Sequence, residues 1–399
     1  MAHRIRESVR WYGELNLINA ADDEFLGKVH AKRIVAPSQL AATLAGVCAA
    51  LAELKQCPVP DIAAHGVVDD IARKMAESIA GGETRAVFLG NMAQHHPTYS
   101  QIHALAQEVA RLAGASFGVL GEAANSVGAV AVGAVPGCGP LGKPAVKGLN
   151  AQQMLAQPLR AYLLLGVEAE LDTHDPVSAM NSINAAEFVV VMSPYKGKSL
   201  DYADVLLPVA PWTETSGTFV NTEGRVQSFN AVVKPLGETR PAWKVLRVLG
   251  NLLGLAGFDH NDSKEVLLDA LGETPTGSVQ AFLTNEVKPV DVAAPQAVTG
   301  LERVAEVPIY QTDAVVRRAP SLQMTLDAAL PVARMHSSLI TKLGLEEHGR
   351  VSVRQTAGAL TLKVERDDLL PDNCVRIPSG HPLTASLGPM FGPIKAEPV

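Results

Sequence analysis

Three short apolar runs in this 399-residue chain stop at a glycine: Ala86 to Leu89 before Gly90, Ser116 to Leu120 before Gly121, and Ala161 to Leu165 before Gly166. A run of that length suits a strand covered on both faces, and the glycine lets the chain leave it in a loop. Helical stripes lie between such runs. Behind Pro37 and Ser38, the serine reading as an N-cap, residues Leu40, Leu44, Val47, Leu51 and Leu54 fall on one helical face. Ile102, Leu105, Val109 and Leu112 repeat the stripe, and Gly114 closes it. Phe188 to Met192 and Val205 to Leu207 add two further strands. Strands alternating with helices predict an α/β fold built on doubly wound parallel sheets.

Composition supports that architecture. Hydrophobic residues make up 47% of the chain and aromatics only 5%, so burial rests on Ala, Val and Leu. At 399 residues the chain exceeds one core, and two or three domains are expected. A net charge of -7 argues against a nucleic-acid footprint, which needs clustered basic charge. The longest apolar stretches, Gln39 to Leu54 and Val127 to Val135, read as too short for a bilayer, and the start MAHRIRESVRWYGE lacks the apolar core of a secretory signal. A soluble chain facing the cytoplasm, with no direct membrane insertion, is the expectation.

The run from Asp201 to Gly250 carries the most specific pattern. Ala203 to Leu207 reads as a core strand closed by Pro208. Thr213 to Arg225 packs hydroxyls, two glutamates, two glycines, an asparagine and an arginine into one loop, and a tryptophan-led helix from Trp243 follows. This run resembles the C-terminal part of the large peripheral-arm subunit of bacterial respiratory complex I, the proton-pumping NADH–quinone oxidoreductase, and more distantly the molybdopterin oxidoreductases. Asn91 to Gly128 and Leu163 to Pro176 resemble the same subunit, and the likeness runs from about Asn19 to the C-terminus, weakest over Gly257 to Thr299.

The resemblance implies Rossmann-like doubly wound sheets of the molybdopterin oxidoreductase type, followed by a small C-terminal β-barrel-like domain. The divisions expected are a partial Rossmann-like half over 1–85, a second α/β region over 86–256, a helical segment and Pro- and Ala-rich linker over 257–300, and the barrel over 301–399. In the barrel, Arg350 to Gln355 and Ala359 to Val364 alternate about Thr356, Ala357 and Gly358 as a hairpin does. The resemblance further implies a non-catalytic scaffold in the peripheral arm, on the cytoplasmic side of the bacterial inner membrane, with other peripheral-arm subunits as partners. Electrons would pass from NADH through FMN on a partner and iron-sulfur clusters to quinone. The clusters belong to an N-terminal part of the family that has no counterpart here, so the chain reads either as partial or as one piece of a split protein. The rival reading is a formate-dehydrogenase-like molybdopterin enzyme.

The candidate motifs give no catalytic, cofactor-binding or metal residue. Cys48, Cys57, Cys138 and Cys374 are too far apart in sequence for the grouped thiolates of a cluster or zinc site and read as free thiols. Gly137, Gly139 and Gly142 spell a dinucleotide fingerprint, but Pro136, Pro140 and Pro144 interrupt it and delay any helix to about Asn150. The stretch from Gly128 to Gly148 therefore reads as a loop. Glu214 to Arg225 is the best pocket candidate, with Thr215, Ser216, Thr218 and Asn221 as hydrogen-bonding groups and Arg225 for an anion. The alternative is that Glu214, Glu223 and Arg225 satisfy one another about a turn. His95 and His96 read as a turn at a helix entry, Asp22, Asp23 and Glu24 as solvated or helix-capping, and His260 beside Asp259 as a loop pair.

Overall fold

The structure, a computed structural model, describes residues 2–272, 277–287, 290, 298–356 and 358–399. It forms two compact units. The first comprises Met1–Leu120, Asn285–Thr312 and Ala319–Val399, the second Gly121–Thr284 and Asp313–Arg318. The sequence suggested a division near residue 86 instead. That boundary falls inside the first unit because one core cluster runs from Ala31 through Leu51 and Met75 to Leu105 and Ala113. The barrel likewise belongs to the first unit rather than standing apart at 301. Of the expected linker, residues 288, 289 and 291–297 lie outside the described residues, as does Ala357 in the expected hairpin turn.

In the first unit, helix α1 (Ala2–Arg10) precedes strands β1 (Asn16–Asn19) and β2 (Ala31–Ile34), which pair in parallel with Ile18 opposite Arg33. Helix α2 (Leu40–Leu54) packs against α3 (Asp70–Gly81). Strand β3 (Ala86–Leu89) leads through α4 (Asn91–Gln94) to α5 (Tyr99–Ala113) and its parallel neighbour β4 (Ser116–Val119). The predicted stripes mark the buried faces of α2 and α5 except at Leu54, which is exposed at the last turn of α2, and Gly114 ends α5 at φ 66°, the left-handed conformation glycine adopts without strain. Residues Pro37–Leu54 number 18 with mean hydropathy 1.2, long and apolar enough to cross a membrane, contrary to the expectation from sequence. More than half of that segment is buried and it lies against α3 and α5, which is how a core helix of a globular unit behaves.

Ser38 does not cap α2. It lies in a 3-10 turn, Pro37–Gln39, and its backbone N–H (3.0 Å) and hydroxyl (2.6 Å) both donate to the Glu302 carboxylate. The acceptor that satisfies this helix start thus comes from far along the chain.

In the second unit, α6 (Ser126–Ala131) forms where a loop was expected, and a single 3-10 turn, Pro140–Gly142, occupies the proline-broken glycine run. Helix α7 (Ala151–Ala156) begins where predicted, because Asn150 and Gln153 cap each other reciprocally. Three parallel strands follow: β5 (Ala161–Leu165), β6 (Phe188–Ser193) and β7 (Val205–Pro208), with α8 (Ala169–Asp172) and α9 (Pro176–Asn184) between β5 and β6. Tyr162, Ile183, Val189 and Val191 anchor this core. Strands β5 and β7 are partly exposed rather than covered on both faces, being the edges of this sheet, and β3 of the first unit is likewise partly exposed. Strands β8 (Gly217–Val220) and β9 (Val226–Phe229) form an antiparallel hairpin, followed by helices α10 (Ala242–Leu252) and α11 (Ser263–Leu271).

The loop leaving β5 is fixed by charge. The carboxylate of Glu168 accepts from Arg317 (2.8 Å) and Arg318 (3.1 Å), and Arg317 also donates to Asp172, at the end of the short helix α12 (Ala314–Arg317). Asp172 in turn accepts from the Glu168 backbone N–H at 2.7 Å. Burial pushes the Glu168 carboxyl up, but hydrogen bonds from Arg318 and Arg317 and their charges outweigh it and hold the group below its usual range.

The first unit ends in a closed six-stranded barrel in the order β10 (Leu301–Val304), β14 (Cys374–Arg376), β11 (Ala333–Met335), β13 (Gly358–Arg366), β12 (Arg350–Gln355) and β15 (Gly392–Pro398). Strands β12 and β13 are the hairpin read from sequence. Arg303 is fully buried and donates to the carbonyls of Ile377, Pro378, Gly388 and Pro389 and to the side-chain oxygen of Gln355. Burial pulls its pKa down to about 10.

Two outcomes follow from these buried charges. Arg303→Met leaves several buried acceptors without donors and should lower stability by about 3 kcal/mol or more, read from the urea midpoint. Arg303→Lys should recover only part of this, because an ammonium does not reproduce the guanidinium fork. For Glu168, whose folded pKa is depressed, the stabilisation is complete above its ordinary value of 4.5 and lost as pH falls through the lowered folded value. Melts of Glu168→Gln and the parent chain should therefore differ most at neutral pH and converge in acid; a constant gap across that range would refute the assignment.

Candidate functional site: strand ends of the two units

Ligands of open α/β sheets bind outside the carboxyl ends of the strands. In the first unit those ends open on a cavity of about 290 Å³. Pro37 and Ser38, beyond β2, and His96, Pro97 and Thr98, beyond β3, line it together with Glu302 and Phe391 of the barrel part. His96 is buried and oriented by three contacts. Its Nδ1 accepts from the Thr98 N–H (3.1 Å) and hydroxyl (2.9 Å), so Nε2 carries the proton and donates to the Pro37 carbonyl at 2.9 Å. This histidine thus sits at the entry of α5, and its ring lies 5.6 Å from that of Phe391, tilted by 45°. Glu302, 2% exposed, holds only the two bonds from Ser38 and no cationic partner among the described residues.

The second unit presents its strand ends differently. Gly166 follows β5 at φ 64°, and a Cβ added there would meet open space. Beside it stands the Glu168, Asp172, Arg317 and Arg318 network, with the Arg318 guanidinium 4.6 Å from the centre of the Tyr195 ring. Tyr202 donates to Glu170 at 3.3 Å; burial, with Glu170 adding to it, pushes that phenol up.

The residues singled out from sequence distribute otherwise. Glu214 to Arg225 is mostly a hairpin rather than an open loop, and its polar groups bond to other side chains and to the backbone. Ser216 bonds Ser263 and Thr218 bonds Ser228, while the Thr215 hydroxyl donates to the Ser216 carbonyl. Asn221 accepts from the N–H groups of Glu223 and Arg225, and Glu214 accepts from the Leu236 N–H. The turn is therefore capped by Asn221, not by an exchange among Glu214, Glu223 and Arg225, and the Arg225 side chain is exposed. Asp22 and Asp23 cap no helix; they pair with Lys32 and with Arg376. His260 contacts Asp269 at 3.2 Å. All four cysteines are free, and burial pushes the thiols of Cys48 and Cys374 up to about 12. Among the described residues no three metal-ligating side chains gather.

Sequence reading missed Glu302 and Glu168. Each was an ordinary acid on an apolar segment, and the one available signal was a carboxylate in a run that otherwise reads as buried.

Known proteins resemble this chain in sequence or in fold. Residues 39–252 match the molybdopterin oxidoreductase family. The chain is 33% identical over 98 residues to a putative formate dehydrogenase of Staphylococcus haemolyticus, an alignment covering 25% of this chain and 10% of that protein. It is 35% identical over 102 residues to a probable oxidoreductase of Bacillus subtilis, covering 25% and 10%, and 40% identical over 94 residues to a putative formate dehydrogenase of Staphylococcus aureus, covering 23% and 9%. The matched part thus spans about a tenth of the length of these relatives. Acetylene hydratase from Pelobacter acetylenicus superposes with a TM-score of 0.68 over 100% of this chain and 75% of its own, at 15% identity, which shows a shared fold. With its parallel sheets, its closed six-stranded barrel and a family match over more than half its length, this chain belongs to the molybdopterin oxidoreductase family.

Proposed function

We propose that this chain is part of a molybdopterin-dependent oxidoreductase of the formate-dehydrogenase kind, and that its residues serve there as frame rather than as reacting centre. The observation that carries the first half is the family match over residues 39–252, together with formate dehydrogenase relatives at 33% and 40% identity. The second half rests on charge. A pterin cofactor bearing phosphate asks for donors that meet an anion. Gly166 offers an open backbone, but Arg317 and Arg318 beside it are already neutralised by Glu168 and Asp172, and the cavity of the first unit presents the Glu302 carboxylate. As they stand, neither set of strand ends fits a phosphate-bearing cofactor, and no reaction step is assigned to these residues.

The same carboxylates favour a second reading: a scaffold in the peripheral arm of NADH–quinone oxidoreductase, with FMN and iron-sulfur clusters on other polypeptide segments. The segments Asp201 to Gly250, Asn91 to Gly128 and Leu163 to Pro176 support it by their resemblance to the large peripheral-arm subunit. Partners in that case are other peripheral-arm subunits at the cytoplasmic side of the inner membrane.

Metal analysis separates the two. On the first reading, the assembly purified natively through this chain contains about one molybdenum or tungsten per chain with releasable pterin. On the second it contains neither, and carries flavin and iron-sulfur absorbance from co-purifying polypeptides. A preparation with neither signature, from a chain shown to be folded, would remove both readings.

A further inference from the structure

We infer that the cavity of the first unit binds a small organic cation, with the Glu302 carboxylate as its counter-ion. The inference goes beyond the proposed function and stands on the cavity alone. Glu302 lines an otherwise mostly apolar space, floored by Ala41, Ala42 and Ala45, while nearly all of its own surface is withdrawn from water. A buried charge is costly unless paired. Ser38 supplies two neutral donors, which use two of roughly four lone-pair sites on a carboxylate. The N-terminus of α2 adds at most about half an elementary positive charge, which leaves the carboxylate under-compensated. Arg303, the next residue on β10, spends its donors on the carbonyls of the barrel interior.

The rest of the lining suits an ammonium on a short apolar body. Gln101 also lines the cavity, and its side-chain amide offers an oxygen as a second acceptor. The Phe391 ring supplies an aromatic wall of the kind cations approach. A volume of about 290 Å³ lies at the small end of ligand pockets, which suits a molecule of roughly ten non-hydrogen atoms. The same carboxylate repels phosphates and carboxylic acids.

Calorimetric titration of the full chain with three isosteres tests this: phenethylammonium, 2-phenylethanol and phenylacetate. The expected result is one saturable site for the ammonium, at least tenfold tighter than for the alcohol, and no binding of the acid. Glu302→Gln keeps an acceptor for Ser38 and should bring ammonium and alcohol to equal affinity. Ala42→Leu, a partly exposed position on α2, should fill the cavity and weaken the ammonium tenfold or more with an unchanged circular dichroism spectrum. The inference is overturned by equal affinities in the parent chain, by an ammonium preference that survives Glu302→Gln, by binding indifferent to Ala42→Leu, or by no saturable binding. If Glu302→Gln fails to fold, the parent isostere comparison and Ala42→Leu still decide. Metal content, which bears on the proposed function, is measured separately and is unaffected by any of these outcomes.

Discussion

Strand β10 carries two buried charges on adjacent residues, and the first unit is organised around how they are satisfied. Alternation along a strand sends neighbours to opposite faces. Glu302 therefore meets the turn before α2, where Ser38 donates to it twice, while Arg303 points the other way and gathers five acceptors inside the barrel. A strand only four residues long thus ties the α/β part to the barrel, and shifting its register by one residue would exchange the two charges and strand both. This explains why the barrel does not separate from the α/β part at residue 301.

The second unit uses the same device with other partners. Glu168 lies just beyond β5, and two consecutive arginines from a distant segment close on it. Such an arrangement holds a loop in one conformation, because every guanidinium donor directed at the carboxylates is a geometric constraint as well as a charge. It also spends the donors that an anion would have used. Near the strand ends of both units stand carboxylates, Glu168, Asp172 and Glu302, that are buried or half-buried and cannot swing into solvent at little cost.

Much of the fold is legible in the sequence because it rests on local pattern. The runs at Ala86, Ala161 and Phe188 start strands where expected, the stripes on α2 and α5 mark their buried faces up to the exposed Leu54, and Asn150 and Gln153 mark the start of α7. What escaped depends on residues distant in sequence. Ser38 reads as a cap by itself, yet its partner lies 264 residues away; Glu168 and Arg317 are 149 apart. The Thr213 to Arg225 stretch misled for a different reason. Its hydroxyls and asparagine are the residue types of a ligand loop, but they are equally those of a hairpin whose side chains bond across strands and cap its turn. Helix α2 shows the converse: an Ala- and Leu-rich stripe carries the hydropathy of a membrane span, and packing against α3 and α5 gives it a core role.

The chemistry available to such a frame is set by electrostatics more than by shape. Parallel sheets and a barrel are shared, at 15% identity, with a protein whose name describes hydration of acetylene, so the scaffold alone specifies no reaction. What distinguishes one member from another is which charges stand at the strand ends and whether they are already spent. Free arginines draw an anion in; arginines already paired with carboxylates draw it less. A glutamate left with spare lone pairs in an apolar cavity has the opposite preference. Three acids, Glu168, Asp172 and Glu302, thus set the charge near the strand ends of the two units.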